Sequence, residues 1–240
     1  MSQSYYPDDF GLNVSRGTVK GTSHVHKFGA VPSLGNGVTS TVWDEGTLYP
    51  WSAFDTANTA TVTADAATAD NGKIVTVQGL DDNYEFVEED IAVSNVGVTG
   101  SVEFKRINRA FVSSGTDNTD DINITVNGDT VALILADQGQ TLMSVYTVPA
   151  NSKLYMTTLS ASADGSASLF VYKKFPGEDA FRIAHTGELF GGLYEYDFKF
   201  PLEIAATTDI DIRASSKVGS GNARITTAFC ALLLKDGLGP

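Results

Sequence analysis

His24 and His26 stand two residues apart, so on a strand both imidazoles would leave the same face. Such a pair can seed a zinc site, but a third ligand is required, and the remaining histidine, His185, is far along the chain. Two acidic loops suit a hard cation better: Asp117-Asn118-Thr119-Asp120-Asp121, and Asp81-Asp82-Asn83 followed by Glu85. Calcium takes about six to eight oxygens, and neither loop has the central glycine and terminal glutamate of an EF-hand. Solvated loops are therefore the expectation, and no metal is assigned. Glu195 and Asp197 would share one strand face, yet a glycosidase needs two carboxyl groups on either side of the bond it cuts. Tyr194 and Tyr196 would share the opposite face and, with Tyr155, Phe170 and Tyr172, form a surface aromatic patch able to stack on a sugar. Alternating aromatics are equally how a strand fills a core. Cys230 is the single cysteine and lies in an apolar run. It can make no intrachain disulfide, and a buried inert thiol is expected. No Gly-x-Ser-x-Gly elbow, phosphate loop or dinucleotide fingerprint is present. Gly191-Gly192 and Gly219-Ser220-Gly221 fall between strands, where turns need them. No catalytic residue and no cofactor are expected, and the chain reads as no enzyme.

The elements that must position these residues are strands. Apolar residues recur at every second position in short runs separated by Gly, Pro, Asn and Asp, with no helical period anywhere. The run 140–175 reads as a three-stranded antiparallel meander broken at Pro149-Ala150-Asn151 and at 163–166. Residues 59–64, 73–77, 85–93, 99–113, 122–126, 130–136, 180–184, 193–200, 209–214 and 223–234 add further strands, for about fourteen in all. Parity slips near Ile107-Asn108, which predicts a bulge. Asn127-Gly128 between two alternating runs predicts a tight hairpin. Two segments echo each other, 146–162 and 200–216, each passing from an aromatic strand through a proline into a second strand. They predict two equivalent corners of one sandwich. The expected class is all-β, an antiparallel jelly-roll-like β-sandwich.

Bulk composition narrows the partners. The formal net charge of −13 argues against binding a phosphate backbone, which needs lysine and arginine to displace counterions. The longest apolar run, residues 229–234, is far short of the roughly 20 residues of a membrane helix. No secretory leader is expected from the first ten residues, and the lack of disulfides fits synthesis in a reducing cytoplasm. Charge is unevenly distributed. Residues 10–43 contain no acid and carry Arg16, Lys20 and Lys27, whereas residues 44–90 carry eleven acids against Lys73 alone. The division expected is an extended N-terminal arm, 1–43, before a sandwich body, 44–240, with a subdivision near 95–115. Arg16, Lys20, Lys27, Phe28 and Trp43 are the expected partner interface of that arm. The alternative for the arm is a pair of edge strands on its own body. The crowded aromatics Trp43, Tyr49, Trp51 and Phe54 are either a contact patch or the plug of the body where the arm enters.

Segments 41–51, 79–85, 104–112, 139–162, 181–189 and 201–214 (TVWDEGTLYPW, GLDDNYE, FKRINRAFV, GQTLMSVYTVPANSKLYMTTLSAS, FRIAHTGEL, PLEIAATTDIDIRA) occur in an order that resembles virion structural proteins of tailed bacteriophages, including those of marine phages and cyanophages. The resemblance spans about residues 11–234 and contains no catalytic motif. It implies a non-enzymatic particle protein, located in the virion and assembled in the host cytoplasm. The arm then suggests a homotrimeric capsid decoration protein bound to the major capsid protein or another virion protein. A tail or fibre component binding host glycan through Tyr194 and Tyr196, and a tail-ring or connector subunit, are the alternatives. Removing residues 1–43 is expected to leave a folded body that no longer binds particles.

Overall fold

The computed structural model describes residues 10–65, 68–217, 219 and 222–237. Residues 1–9 of the expected arm, and parts of the turns at 64–72 and 217–222, lie outside the described residues. A short helix α1 (Phe10–Ser15) is followed by β1 (Thr22–Leu34), β2 (Thr39–Thr41), β3 (Asn58–Ala64), β4 (Ile74–Leu80), β5 (Phe86–Ala92), β6 (Val98–Phe104) and β7 (Arg106–Val112). Then come β8 (Ile122–Val126), β9 (Asp129–Ile134), β10 (Val145–Thr147), β11 (Ser152–Lys174), β12 (Arg182–Ile204), β13 (Asp209–Ser216) and β14 (Ala223–Lys235). Every strand pairing between them is antiparallel. The all-β antiparallel sandwich class expected from the sequence is the class adopted. No helix among the described residues is long and apolar enough to cross a membrane.

Alternation builds two separate cores. In the smaller part, a four-stranded sheet, β6-β3-β8-β9, accompanies a three-stranded sheet, β5-β4-β7. Ala60, Val62 and Ala64 of β3 and Ile122, Ile124 and Val126 of β8 meet Val75, Val77 and Ile107 in one buried cluster. In the larger part, β1-β14-β11-β13-β10 form one sheet, with β12 on β11 and β2 on β13. Leu154, Leu159, Leu169, Val171, Ile210, Ile212, Ile225 and Phe229 fill its core.

Several expectations hold at residue level. The parity slip is a bulge: Gln78 pairs with Arg109 and Gly79 with Ile107, leaving Asn108 as the extra residue. Asn127 and Gly128 both take positive φ, 53° and 88°, and close the β8–β9 hairpin. The two proline corners meet, with Val148 N–H donating to Thr208 O at 3.1 Å and Thr207 N–H donating to Val148 O at 2.9 Å.

Three expectations are corrected. Residues 99–113 are not one strand. The chain leaves β6, which pairs with β3, and enters β7, which pairs with β4, so this segment passes between the two sheets of the small sandwich. The break at 163–166 is no hairpin turn either. β11 runs 23 residues through it, because β12 pairs with it on both sides of the bend while its other edge passes from β14 to β13. Finally, 22–41 is no free arm. β1 pairs with β14 from Thr22 to Leu34, and β2 pairs with β13. The apolar residues of this stretch are too few to make a core of their own. They need only one covered face, and Val31 and Leu34 find it in the core of the larger part. Gly29 is there because no Cβ would fit, its position lying 2.3 Å from Val42 O and 2.6 Å from Ser144 N. The boundary drawn at 43 and the subdivision at 95–115 therefore do not follow the pairing. The small sandwich is a continuous insert, and the large part is made from both ends of the chain.

Candidate functional site

The polar residues that look most like chemistry in the folded chain sit where the two cores meet. One face of β13 gives Ile210 and Ile212 to the larger core, so Asp209 and Asp211 point the other way, toward the small sandwich. Asp209 accepts a two-pronged contact from Arg106 of β7, at 2.7 and 2.9 Å, and a bond from Thr147 Oγ1 at 2.7 Å, with Lys174 Nζ 3.5 Å away. Asp211 accepts from Thr41 Oγ1 at 2.8 Å, Trp51 Nε1 at 2.9 Å and Arg213 at 2.7 and 2.9 Å. Trp51, Phe54 and Tyr84 surround the Arg106 guanidinium at 5.6–5.8 Å. Burial alone would disfavour charge on Arg106, but the hydrogen bonds to Asp209 outweigh it and raise its pKa. All four carboxylate oxygens are engaged, so this pair is occupied as a clamp between the two parts and offers no free base. The tip of the β11–β12 hairpin joins it, with the Phe181 ring 5.5 Å from Trp51. Trp43, Tyr49, Trp51 and Phe54 are the plug, not a surface patch, and all are buried. Sequence reasoning missed this site because Arg106 and Asp209 are over a hundred residues apart. The Asp-Ile-Asp alternation of 209–211 was the available signal.

The acidic loops are organised by their own side chains. Asp70, fully buried, accepts the backbone N–H groups of Thr119 and Asp120 and an ion pair from Lys73 at 2.8 Å. Burial would raise its pKa, but Lys73 and these N–H groups hold it below the usual carboxylate range. Asp81 Oδ1 accepts from the N–H groups of Asn83 and Glu85, both at 2.9 Å. No cluster able to hold a metal is found among the described residues.

The histidine pair sits on the exposed face of β1, with His26 Nδ1 3.7 Å from Cys230 Sγ on β14. Cys230 is thus partly exposed, not buried as expected, since its parity places it opposite Phe229 and Ala231 of the core. Of the expected interface residues, Arg16 and Lys20 are exposed and Phe28 is half-buried. Lys27 and Trp43 are not available to a partner. Trp43 is 1% exposed inside the small core. Lys27 points inward and bonds the carbonyl of Asn108, the bulged residue, and burial lowers its pKa to about 7, with nearby Arg109 acting in the same direction.

The remaining candidates lie on β11 and its neighbour β12. This 23-residue strand pairs only with β11, so its other edge is unpaired among the described strands. Pro201 is tolerated within it because it falls in the register break between Asp197 and Leu202 of this edge strand. At the bend, the Tyr194 ring lies where a Cβ on Gly187 would be 2.7 Å from it, and the Tyr194 hydroxyl meets His185 Nε2 at 2.8 Å. Phe198 packs edge to face against both His185 and Tyr196, which are themselves tilted against each other at 4.4 Å. Tyr194 and Tyr196 do share a face, but Tyr194 is spent on this internal ring cluster, and Tyr155, Phe170 and Tyr172 are all half-buried. Phe190, Leu193 and Phe200 are 75, 69 and 82% exposed. Glu195 and Asp197 are exposed beside them and have no ion pair among the described residues. An unpaired strand edge carrying large exposed apolar side chains is an adhesive surface that folded proteins ordinarily suppress.

No protein-family model and no curated protein matches the chain. Among solved structures, it is similar to the T=1 particles derived from infectious bursal virus, at 14% identity and a TM-score of 0.26, over 99% of this chain and 73% of that one. It is also similar to the structure of the infectious bursal disease virus Gt strain, at 13% identity and a TM-score of 0.22, over 98% and 80%. Scores this low carry no argument about what the chain does.

Proposed function

We propose that this chain is a non-enzymatic structural protein of a tailed-phage virion, a capsid decoration protein whose partners are further copies of itself and the major capsid protein. The observation that carries this reading is β12: a long strand with one edge unpaired among the described strands and large apolar side chains in solvent, Phe190, Leu193 and Phe200 above all, in a chain whose buried Asp209 and Asp211 are committed to holding its two parts together. The residue-level resemblance over 11–234 points the same way, toward a protein made in the host cytoplasm and found in the particle.

Electron microscopy of the intact particle tests it directly. Density for this fold spread over the head lattice supports decoration. A ring at the tail would replace that reading with a tail component, and absence from purified particles would end it. The anchoring segment is also shorter than the charge pattern suggested. Deleting residues 1–43 would remove β1, β2 and Trp43 and so destroy the larger sheet; the informative truncation stops at Lys20. That truncation is expected to leave a folded protein with reduced particle occupancy, measured by quantitative gel analysis of purified virions.

A further inference from the structure

The strands β1, β14, β11 and β12 lie side by side in that order, each antiparallel to the next. Their register defines rows across the exposed face. One row runs His26, Cys230, Thr158, Asp197, and another runs Phe28, Ala228, Ser160, Glu195. The rows thus begin at His26 and Phe28 on β1 and end at the acidic Asp197 and Glu195 on β12. Just before β1 the chain presents Phe10, 55% exposed, with Arg16 and Lys20 exposed and unpaired among the described residues. At the other end stand Phe190, Leu193, Glu195, Asp197 and Phe200, with Lys199 in the bulged stretch between. The two edges are complementary in charge, and both expose aromatic side chains. They cannot meet within one chain, because three strand spacings, about 14 Å, separate them.

We propose that the β12 edge is the contact for a second copy of this chain, which presents to it the N-terminal edge that carries Phe10, Arg16 and Lys20 together with the exposed face of β1. The contact is head to tail. Because four strands are an even number, a neighbour turned about an axis along the strands brings an antiparallel β1 beside β12 and preserves the alternation. Repeating the step closes a ring or runs on as a filament, according to the rotation. The proposal rests on the structural reading above and names the partner and surface of that same strand.

Sedimentation velocity on the full chain over a dilution series, at low and high salt, tests it. The wild type is expected to associate with concentration and to loosen as salt screens the exposed charges. Three double variants, Phe190→Ser with Phe200→Ser, Glu195→Lys with Asp197→Lys, and Arg16→Glu with Lys20→Glu, are each expected to weaken association at least about tenfold. Mixing the second and third in equal amounts is expected to restore it, which a misfolded variant could not do. A wild type that stays monomeric at every concentration, association untouched by the β12 changes, or no rescue on mixing overturns the proposal. A chain that associates in this way but is absent from purified particles leaves the contact standing and removes the virion reading. A particle component that stays monomeric when free does the reverse.

Discussion

Arg106 and Phe200 invert the usual placement of their residue types. The guanidinium is buried between two cores, while the phenyl ring is 82% exposed on an edge strand. Around Arg106 every charge has a partner of fixed geometry, and aromatic rings exclude water from it. Around Phe200 no aromatic or cation–π partner stands among the described residues, and the ring is mostly in water. A buried ion pair is a poor source of net stability, because desolvation offsets most of its attraction; what it does well is penalise any other arrangement of the parts it joins. A single exposed ring contributes little to folding and calls for no reason, but Phe200 stands with Phe190 and Leu193 on one unpaired strand edge, and such an apolar edge marks a contact surface. The junction therefore fixes how the two parts of one molecule sit together, and β12 leaves a surface for what that molecule meets.

The contrast breaks if the junction can be lost without consequence. Asp209→Ala leaves Arg106 with an uncompensated buried charge and Lys174 without its ion-pair partner, and is expected to destabilise by about 3–5 kcal/mol in chemical unfolding followed by tryptophan fluorescence. Trp51, beside the guanidinium, should report the change. Equal stability of the variant and the wild type would reduce the clamp to an incidental contact. Lys27 and Asp44 sharpen the same point through pH. Lys27 titrates near 7 in the folded state against 10.5 when free. The unfolded chain then holds the extra proton between those values, and stability is expected to rise as pH rises from about 7 to 10.5. For Asp44, burial raises the pKa from 3.8 to about 7, with nearby Asp121 adding to it and the bond from Leu142 N–H opposing it. Here the folded chain holds the extra proton, so stability is expected to fall as pH rises from about 4 to 7. Together they place a stability minimum near neutrality, read as unfolding midpoints across pH. Lys27→Met should flatten the alkaline limb and Asp44→Asn the acid one, by on the order of a few kcal/mol each.

Local features of this fold were legible because local chemistry decides them. The bulge at Asn108 follows from a parity slip, and the 127–128 hairpin from residues that tolerate positive φ. The class followed from alternation alone. What stayed hidden depends on contacts distant in sequence. Nothing in residues 22–34 says that residues 223–234 will pair with them, so β1 reads as an arm. Asp164-Gly165 reads as a turn because its local chemistry is that of a turn. Only the pairing of β12 on either side turns it into a bend, in which Asp164 Oδ1 accepts the N–H of Arg224 at 2.7 Å. The same limit applied to the site. Glu195 and Asp197 could be placed on one face from spacing, but the unpaired edge that gives them meaning is a property of the whole sheet.

Two smaller changes probe packing against exposure on the same four strands. Gly29→Ala would place a methyl carbon 2.3 Å from the carbonyl oxygen of Val42. Backbone cannot yield as a flexible side chain would, so a loss of about 1–3 kcal/mol is expected, visible as a lower thermal midpoint. Phe200→Ser removes a larger side chain from the far edge of the same sheet, yet it is expected to change monomer stability by no more than about 0.5 kcal/mol. Its ring makes no aromatic or cation–π contact among the described residues and is mostly in water. If calorimetry on dilute protein showed Phe200→Ser losing as much as Gly29→Ala, the ring would belong to the fold after all. The contrast between a committed interior and an uncommitted edge would then lose its clearest member.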